Sequence, residues 1–281
     1  MKRIIAIILS AVLLCTALVS CGNDSTDDFE RVRAQGKLVV GMECAYAPYN
    51  WTVSTPSETT HPISNSPGSY ADGYDVEIAK LIAETIGVTL EIRAIEWEGL
   101  VPALEAGEID MIIAGMSPTE ERKLSIDFSD TYFDSELVMV VRKDSAYADA
   151  SAISDFSGAK ITGQLNTFHY SVIDQIAGVN KTTALQDFAA LIQSLDSGAI
   201  DGYVCEKPGA ISAVAANPDF TYVEFDEGCG FTYDPTSSSI SVGIRKGSDL
   251  VNSINFTISH LTAEEKEAMM TAAIERQTDA E

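Results

Sequence analysis

Positive charge is what this chain has least of: 18 Lys and Arg stand against 42 Asp and Glu, a formal net charge of -24. Such a body is repelled by nucleic acid and by anionic lipid, which argues against polyanion binding. Cysteine is scarce too, at five in 281 residues. Cys15 and Cys21 belong to the N-terminal segment, and the odd number left, Cys44, Cys205 and Cys229, cannot make a complete disulfide framework. No CxxC pair and no Cys/His spacing suits a metal, so neither metal nor cofactor is expected, and the three thiols are expected reduced and mostly buried. No internal repeat is apparent. Beyond the N-terminus no stretch is long and apolar enough to span a bilayer.

What the N-terminus does have is an export signal. Lys2 and Arg3 precede a run from Ile4 to Val19 that is apolar apart from Ser10, Thr16 and the weakly polar Cys15. The basic start and small-residue end fit a secretory signal of residues 1–20 rather than a membrane span. Leu18-Val19-Ser20-Cys21 looks like a bacterial lipobox, with Cys21 as the lipidated (palmitate-bearing) first residue of the mature chain; a plain cleaved signal or uncleaved anchor is the other reading. The polar, acidic GNDSTDDFE after it reads as a flexible tether, placed at residues 21–36.

Short apolar runs near Lys37 (KLVVGM), Thr89, Asp110 and Glu136 read as strands, and helical periodicity fills the gaps. YDVEIAKLIAETIG carries apolar residues at Val76, Ile78, Ala79, Ile82, Ala83 and Ile86 with Gly87 as the stop, and EGLVPALEAG closes at Gly107. KITG, a helix opening at Thr167, a short strand near Thr182, DFAALIQSLDSG, AIDGYVC and ISVGI continue the alternation, which predicts an α/β fold with a mainly parallel sheet. Two helices end the chain, the second opening on a capping box, Thr262 to Glu265. Residues 52–73, rich in Ser, Thr, Pro and Gly, read as a long surface excursion.

AGMSPTEERKLSIDFSDTYF, residues 114–133, places an arginine beside a predicted helix start: Ser117 as N-cap, Pro118 at the first helical position and Glu120 as capping-box partner. Free N–H groups there favour an anion, and Arg122 could add a bidentate clamp to a carboxylate. On spacing alone, an ordinary surface helix with an exposed Arg is the more usual explanation.

The segments GKLVVGMECAYAPYNW, GYDVEIAKLIAETIG, EWEGLVPALEAGEIDMIIAGMSPTEERKLSIDFSDTYF and AIDGYVCEKPGA, in that order, resemble the bacterial extracellular solute-binding proteins of family 3 from about Gly36 to the end. The resemblance implies a type II periplasmic-binding-protein fold: a first lobe of residues 37–139 plus 227–281, a second of 140–226, and a ligand cleft that closes by hinge motion about two crossing strands. It implies that Arg122 holds the α-carboxylate of an amino acid, helped by Gly115, Met116 and Ser117 and, across the cleft, by Asn166 and Thr167. Glu206 stands where relatives commonly place an aspartate for the α-ammonium, a departure of one methylene. Tyr46 and Trp97 match the aromatic residues that enclose the ligand side chain, and Glu43 the position at its far end; without the resemblance, both aromatics would read as core residues. A carboxylate there favours Arg, Lys, ornithine, His or Gln over apolar or acidic ligands.

The function this implies is capture of a free amino acid and delivery to an ABC permease by a monomer held to the outer face of the membrane through Cys21. No catalytic residue is expected. Two other classes remain. An enzyme of dehydratase type could use Glu43 and Glu206 as an acid/base pair, with His61 and His169 as weak candidates and His260 in a terminal helix. A receptor subunit could present its ligand to a separate partner.

Overall fold

The computed structural model describes residues 27–234 and 238–279. The predicted signal peptide and Cys21 lie outside the described residues. Fourteen strands and nine α-helices succeed one another along the described chain. They are α1 (Asp28–Gln35), β1 (Lys37–Met42), β2 (Ala45–Tyr46), β3 (Asn50–Val53), β4 (His61–Pro62), β5 (Tyr70–Asp72), α2 (Tyr74–Ile86), β6 (Thr89–Ala94), α3 (Leu100–Glu105), β7 (Met111–Ile112), α4 (Arg122–Ser125), β8 (Ile126–Asp134), β9 (Leu137–Arg142), β10 (Lys160–Thr162), α5 (Phe168–Val172), β11 (Asn180–Lys181), α6 (Phe188–Asp196), β12 (Gly202–Glu206), α7 (Lys207–Ala216), β13 (Phe220–Val223), β14 (Ser239–Arg245), α8 (Leu250–Ser259) and α9 (Ala263–Asp279).

Two five-stranded sheets form, in the orders β6-β1-β7-β14-β8 and β11-β10-β12-β9-β13. In the first, β1 runs parallel to β6 and β7, with Val40 opposite both Ile92 and Met111, while β14 is antiparallel to β7 and β8. In the second, β10 is parallel to β11 and β12, and β9 runs antiparallel to β12 and β13. Parallel strands must be covered on both faces, which is why β1, β7 and β12 are almost continuously apolar and buried. The chain passes from first sheet to second between β8 and β9 and returns ahead of β14. The expected boundary at 139/140 falls inside β9, whose pairing from Leu137 onward is with the second sheet.

Two readings of the sequence are corrected. Residues 52–73 are not all excursion: β4 and β5 join β2 and β3 in a four-stranded antiparallel sheet, order β2-β3-β5-β4. The hydrophobic signal of such two- and three-residue strands is too short to register in a periodicity window. Nor is the stretch up to residue 36, read as tether, without structure: Asp28–Gln35 form α1. That helix is docked by Asp28, which is 3% exposed and takes bonds from Arg245 Nε (3.1 Å) and Nη2 (2.8 Å) and from Ser248 Oγ (2.7 Å). Eight mostly polar residues carry little hydrophobic pattern, and a buried ion pair supplies the attachment instead.

The capping box of α9 is present as expected: Thr262 N donates to Glu265 Oε2 and Glu265 N to Thr262 Oγ1. Towards its end α9 touches the second sheet's helix α7, where the buried Ser212 Oγ donates to Gln277 Oε1 at 2.8 Å. Cys44, Cys205 and Cys229 are all free, and the first two are buried, in line with the expectation of reduced, mostly buried thiols; Cys229 is exposed.

Candidate functional site

The loops at the ends of β1, β7, β10 and β12 meet between the two sheets and enclose a cavity of about 10 Å³, little more than room for one water. Tyr46, Trp97, Gly115, Ser117, Arg122, Thr167 and Glu206 all line it, so seven of the ten expected site residues converge. Met116 and Asn166 face an outer groove instead, which shares Trp97, Arg122 and Thr167 with the cavity. Glu43 lies outside both linings, one hydrogen bond behind the cavity wall formed by Gln164.

No helix begins at Ser117. Residues 116–119 have no regular secondary structure, and the only helix nearby is the single turn α4, preceded by Glu121 and with no side-chain cap. The predicted helix fails because β8 claims the chain from Ile126 onward, leaving one turn for TEERKLS. Backbone N–H groups of a helix end are therefore not the anion holder here. Arg122 is positioned differently: its Nη1 donates to Ser117 O and its Nη2 to Asn166 O, both at 2.9 Å, and its guanidinium lies 4.9 Å from the Trp97 ring centre. Within 4 Å it has no carboxylate partner among the described residues. Burial holds its pKa down at about 10, the pull of Glu121 and Glu206 notwithstanding. A cation satisfied only by neutral carbonyls is under-compensated, and a carboxylate is the natural complement.

Opposite it stands Glu206, fully buried at the end of β12. Its Oε2 accepts a short hydrogen bond from the Tyr46 hydroxyl, and its Oε1 lies 2.7 Å from His169 Nε2. The imidazole N–H is not aligned on that oxygen, so the contact is electrostatic and neither ring nitrogen completes a hydrogen bond. Burial pushes the Glu206 carboxyl up, but His169 and Tyr46 outweigh it and hold the group below its usual range, hence ionised. Burial likewise drives the Tyr46 phenol well above its ordinary value, so it is a donor.

Tyr46 is fixed from three sides. Its ring stacks on Phe188 at 4.1 Å and 12°, and a Cβ at Gly115 or at Gly209 of α7 would come within 3.1 or 3.2 Å of it. Gly115 also sits at φ +59°, in the left-handed region that suits glycine. The ring partners of Tyr46 are Phe188 and Tyr49, while Trp97 meets the Arg122 guanidinium, so the expected aromatic pair shares the cavity without stacking.

Behind these lies the fully buried Asp75, accepting from Asn50 Nδ2 and the Tyr132 hydroxyl at 2.7 Å each. Asn50 in turn holds Cys44 N at 2.7 Å, fixing the turn that presents Glu43 and Tyr46. Burial raises Asp75 to about 6. Glu43 is raised further, to about 7, by burial and by the charges of Asp187 and Glu96, against a bond from Gln164 Nε2 at 3.0 Å. Its second oxygen is buried without a partner. Glu43 and Glu206, considered as an acid/base pair, share no hydrogen-bond partner.

Three groups escaped the sequence reading. His169 is only a weak candidate there, Gln164 is not singled out, and Gly209 enters only as part of the segment AIDGYVCEKPGA. Thr167, by contrast, is buried and lines the cavity as expected, although its hydroxyl donates to Gln164 O at 2.7 Å. Nothing in a single sequence distinguishes a polar residue facing a cleft from one facing water.

Two α/β sheets joined by crossing segments, with a polar, charge-bearing cavity between them, define a type II periplasmic-binding-protein fold. The chain belongs to the bacterial extracellular solute-binding proteins, family 3, whose model matches residues 38–272. The Arginine-binding extracellular protein ArtP of Bacillus subtilis is 24% identical over 260 residues, 91% of each chain. A probable histidine-binding protein of Campylobacter jejuni is 28% identical over 77% of this chain and 79% of its own. Among solved structures, a mutant of the T. maritima protein ArgBP superposes with a TM-score of 0.69 at 29% identity, covering 90% of this chain and 99% of that one. The family and these relatives are solute-binding proteins rather than enzymes.

Proposed function

We propose that this chain captures a free amino acid with a polar or cationic side chain, one of Arg, Lys, ornithine, His or Gln, and delivers it to an ABC permease. The observation that carries this reading is Arg122, a cation held in the cleft between Ser117 O and Asn166 O with no carboxylate of its own among the described residues. A ligand α-carboxylate completes it, and Glu206 supplies the opposite pole for the α-ammonium. The preference for a positively charged or amide-bearing side chain rests on Glu43, whose second oxygen is buried and unpartnered behind Gln164 and would have to be reached past that residue. Relatives named for arginine and histidine agree with that charge preference. Tethering through a lipidated Cys21 would keep the body near the permease.

Calorimetric titration with the candidate amino acids tests the reading, with glutamate and aspartate as controls. Binding of at least one candidate in preference to both acidic ligands is expected; heat from none of them would overturn it. For the anchor, Cys21→Ser should move the protein from the membrane fraction to the soluble one, and unchanged membrane retention would refute lipidation at that residue.

A further inference from the structure

His169 is the buried ionisable group to which the amino-acid-binding reading gives no role. It is 4% exposed, lines the cavity with Arg122 and Glu206, and has both ring nitrogens unsatisfied. The groups around it are few. Glu206 faces it from β12, the Tyr46 phenol from β2 and Arg122 from ahead of β8; on its own helix it meets the Phe168 ring at 4.7 Å, and on α6 the Phe188 ring at 6.4 Å.

Only one anion is shared among these groups. Glu206 Oε2 is committed to Tyr46, so Oε1 is the oxygen left for an incoming ammonium, and His169 Nε2 already sits 2.7 Å from it. A carboxylate oxygen has two lone pairs, so a neutral imidazole N–H and an ammonium N–H can share it. An imidazolium and an ammonium cannot do so cheaply. Each would carry a full charge within a few ångströms of the other, with Arg122 a third cation in the same small cavity and Glu206 the one nearby carboxylate.

We propose that His169 is a specificity-determining residue for the α-ammonium: neutral, it leaves Glu206 free to bind that group, and protonated, it closes an ion pair that excludes it. The proposal rests on the amino-acid-binding reading. It makes ammonium recognition, and not carboxylate recognition, sensitive to acid, because a proton on His169 competes with the ammonium for Glu206 Oε1, 2.7 Å from Nε2, whereas the carboxylate pole at Arg122 meets no such competitor.

The test uses the full chain in detergent and two ligands, L-arginine and 5-guanidinopentanoate, which lacks only the α-amino group. L-Glutamine and glutaramate serve as the pair if arginine gives no heat. Glu43 also titrates near neutral pH, but it acts alike on both members of a pair and cancels in the ratio of their dissociation constants. Between pH 8 and 5.5 the advantage of the amino acid over its des-amino analogue should shrink, because one proton then competes with one ligand group. In His169→Gln, and in His169→Asn as a second variant, both checked for folding by thermal melting, the advantage should be the same at both pH values. A pH-independent advantage in the unaltered protein, or the same pH dependence in both variants, would overturn the proposal. Failure of both amino acids to bind at any pH would instead sink the functional reading and this inference with it.

Discussion

Replacing Arg122 by alanine removes the cation on which the amino-acid reading depends. In the structure its guanidinium makes two 2.9 Å bonds to neutral carbonyls, Ser117 O and Asn166 O, and covers the Trp97 ring. These contacts are half-exposed and water can replace them, so the fold should lose only about 1 kcal/mol. The ligand loses much more, since its carboxylate would be desolvated in the closed cavity with no charged partner. Truncating one side of such a pair costs roughly 2–5 kcal/mol, and at 1.4 kcal/mol per factor of ten the dissociation constant rises between about 30-fold and 4,000-fold. Arg122→Lys keeps the charge but not the planar fork that spans two carbonyls, and should fall between wild type and alanine. Isothermal calorimetry with L-arginine, or with whichever amino acid binds, measures both variants, and urea melts separate affinity from folding. A folded Arg122→Ala protein with a dissociation constant within threefold of wild type would refute the assignment.

Other perturbations bear on different parts of the molecule. Glu43 holds its proton to about pH 7 in the fold against 4.5 for the unpaired group, so the stability it brings is complete below pH 4.5 and is lost as pH rises through 7. That is roughly 3 kcal/mol; Glu43→Gln should flatten the decline of the ligand-free melting temperature over this window, and an equally steep decline in the variant would count against it. Tyr46→Phe strips Glu206 of its hydroxyl donor and should destabilise by about 1.5–3 kcal/mol in urea titrations, with weakened ligand binding. Asp28→Ala leaves the buried Arg245 short of its main anion and should cost about 3–5 kcal/mol. Arg245, Ser248 and Arg31 together overcome burial to hold the Asp28 carboxyl below its usual range, so its contribution is present near neutral pH and fades as pH falls towards that range; Asp28→Asn should show a shallower acid transition.

How much of this was legible beforehand depended on how local each signal is. The apolar stripe from Val76 to Ile86 and the Thr262–Glu265 capping box are properties of neighbouring residues, and both appear where the pattern put them. The TEER segment looked just as local, yet its helix shrank to one turn because the pairing of β8 with β14, more than a hundred residues away, sets the path of the chain beyond Ser125. Family resemblance supplied Arg122, Glu206 and Tyr46, which line the cavity, and Trp97, whose ring turned out to face Arg122. It could not supply His169 or Gln164, because their importance comes from which side of the cleft they face once both sheets exist. Gly209 was invisible for a similar reason: what it makes room for is Tyr46, from the other side of the cleft.

The bonds that cross the cleft have a consequence for how tightly any ligand is held. Arg122 reaches Asn166 O, Asn166 Nδ2 reaches Glu98, Gln164 reaches Glu43, Gln186 reaches Glu96, and Tyr46 reaches Glu206. Each joins the two halves without help from a bound molecule. If the halves separate to admit a solute, these links exchange for water and re-form on closing, so the observed affinity is the intrinsic one scaled by how readily the shut form is reached. Glu96, Glu98 and Gln186, partly open to solvent and outside the inner cavity, thereby become dials on affinity. Selection could retune uptake for a scarce or abundant nutrient through them while leaving every ligand-facing side chain untouched.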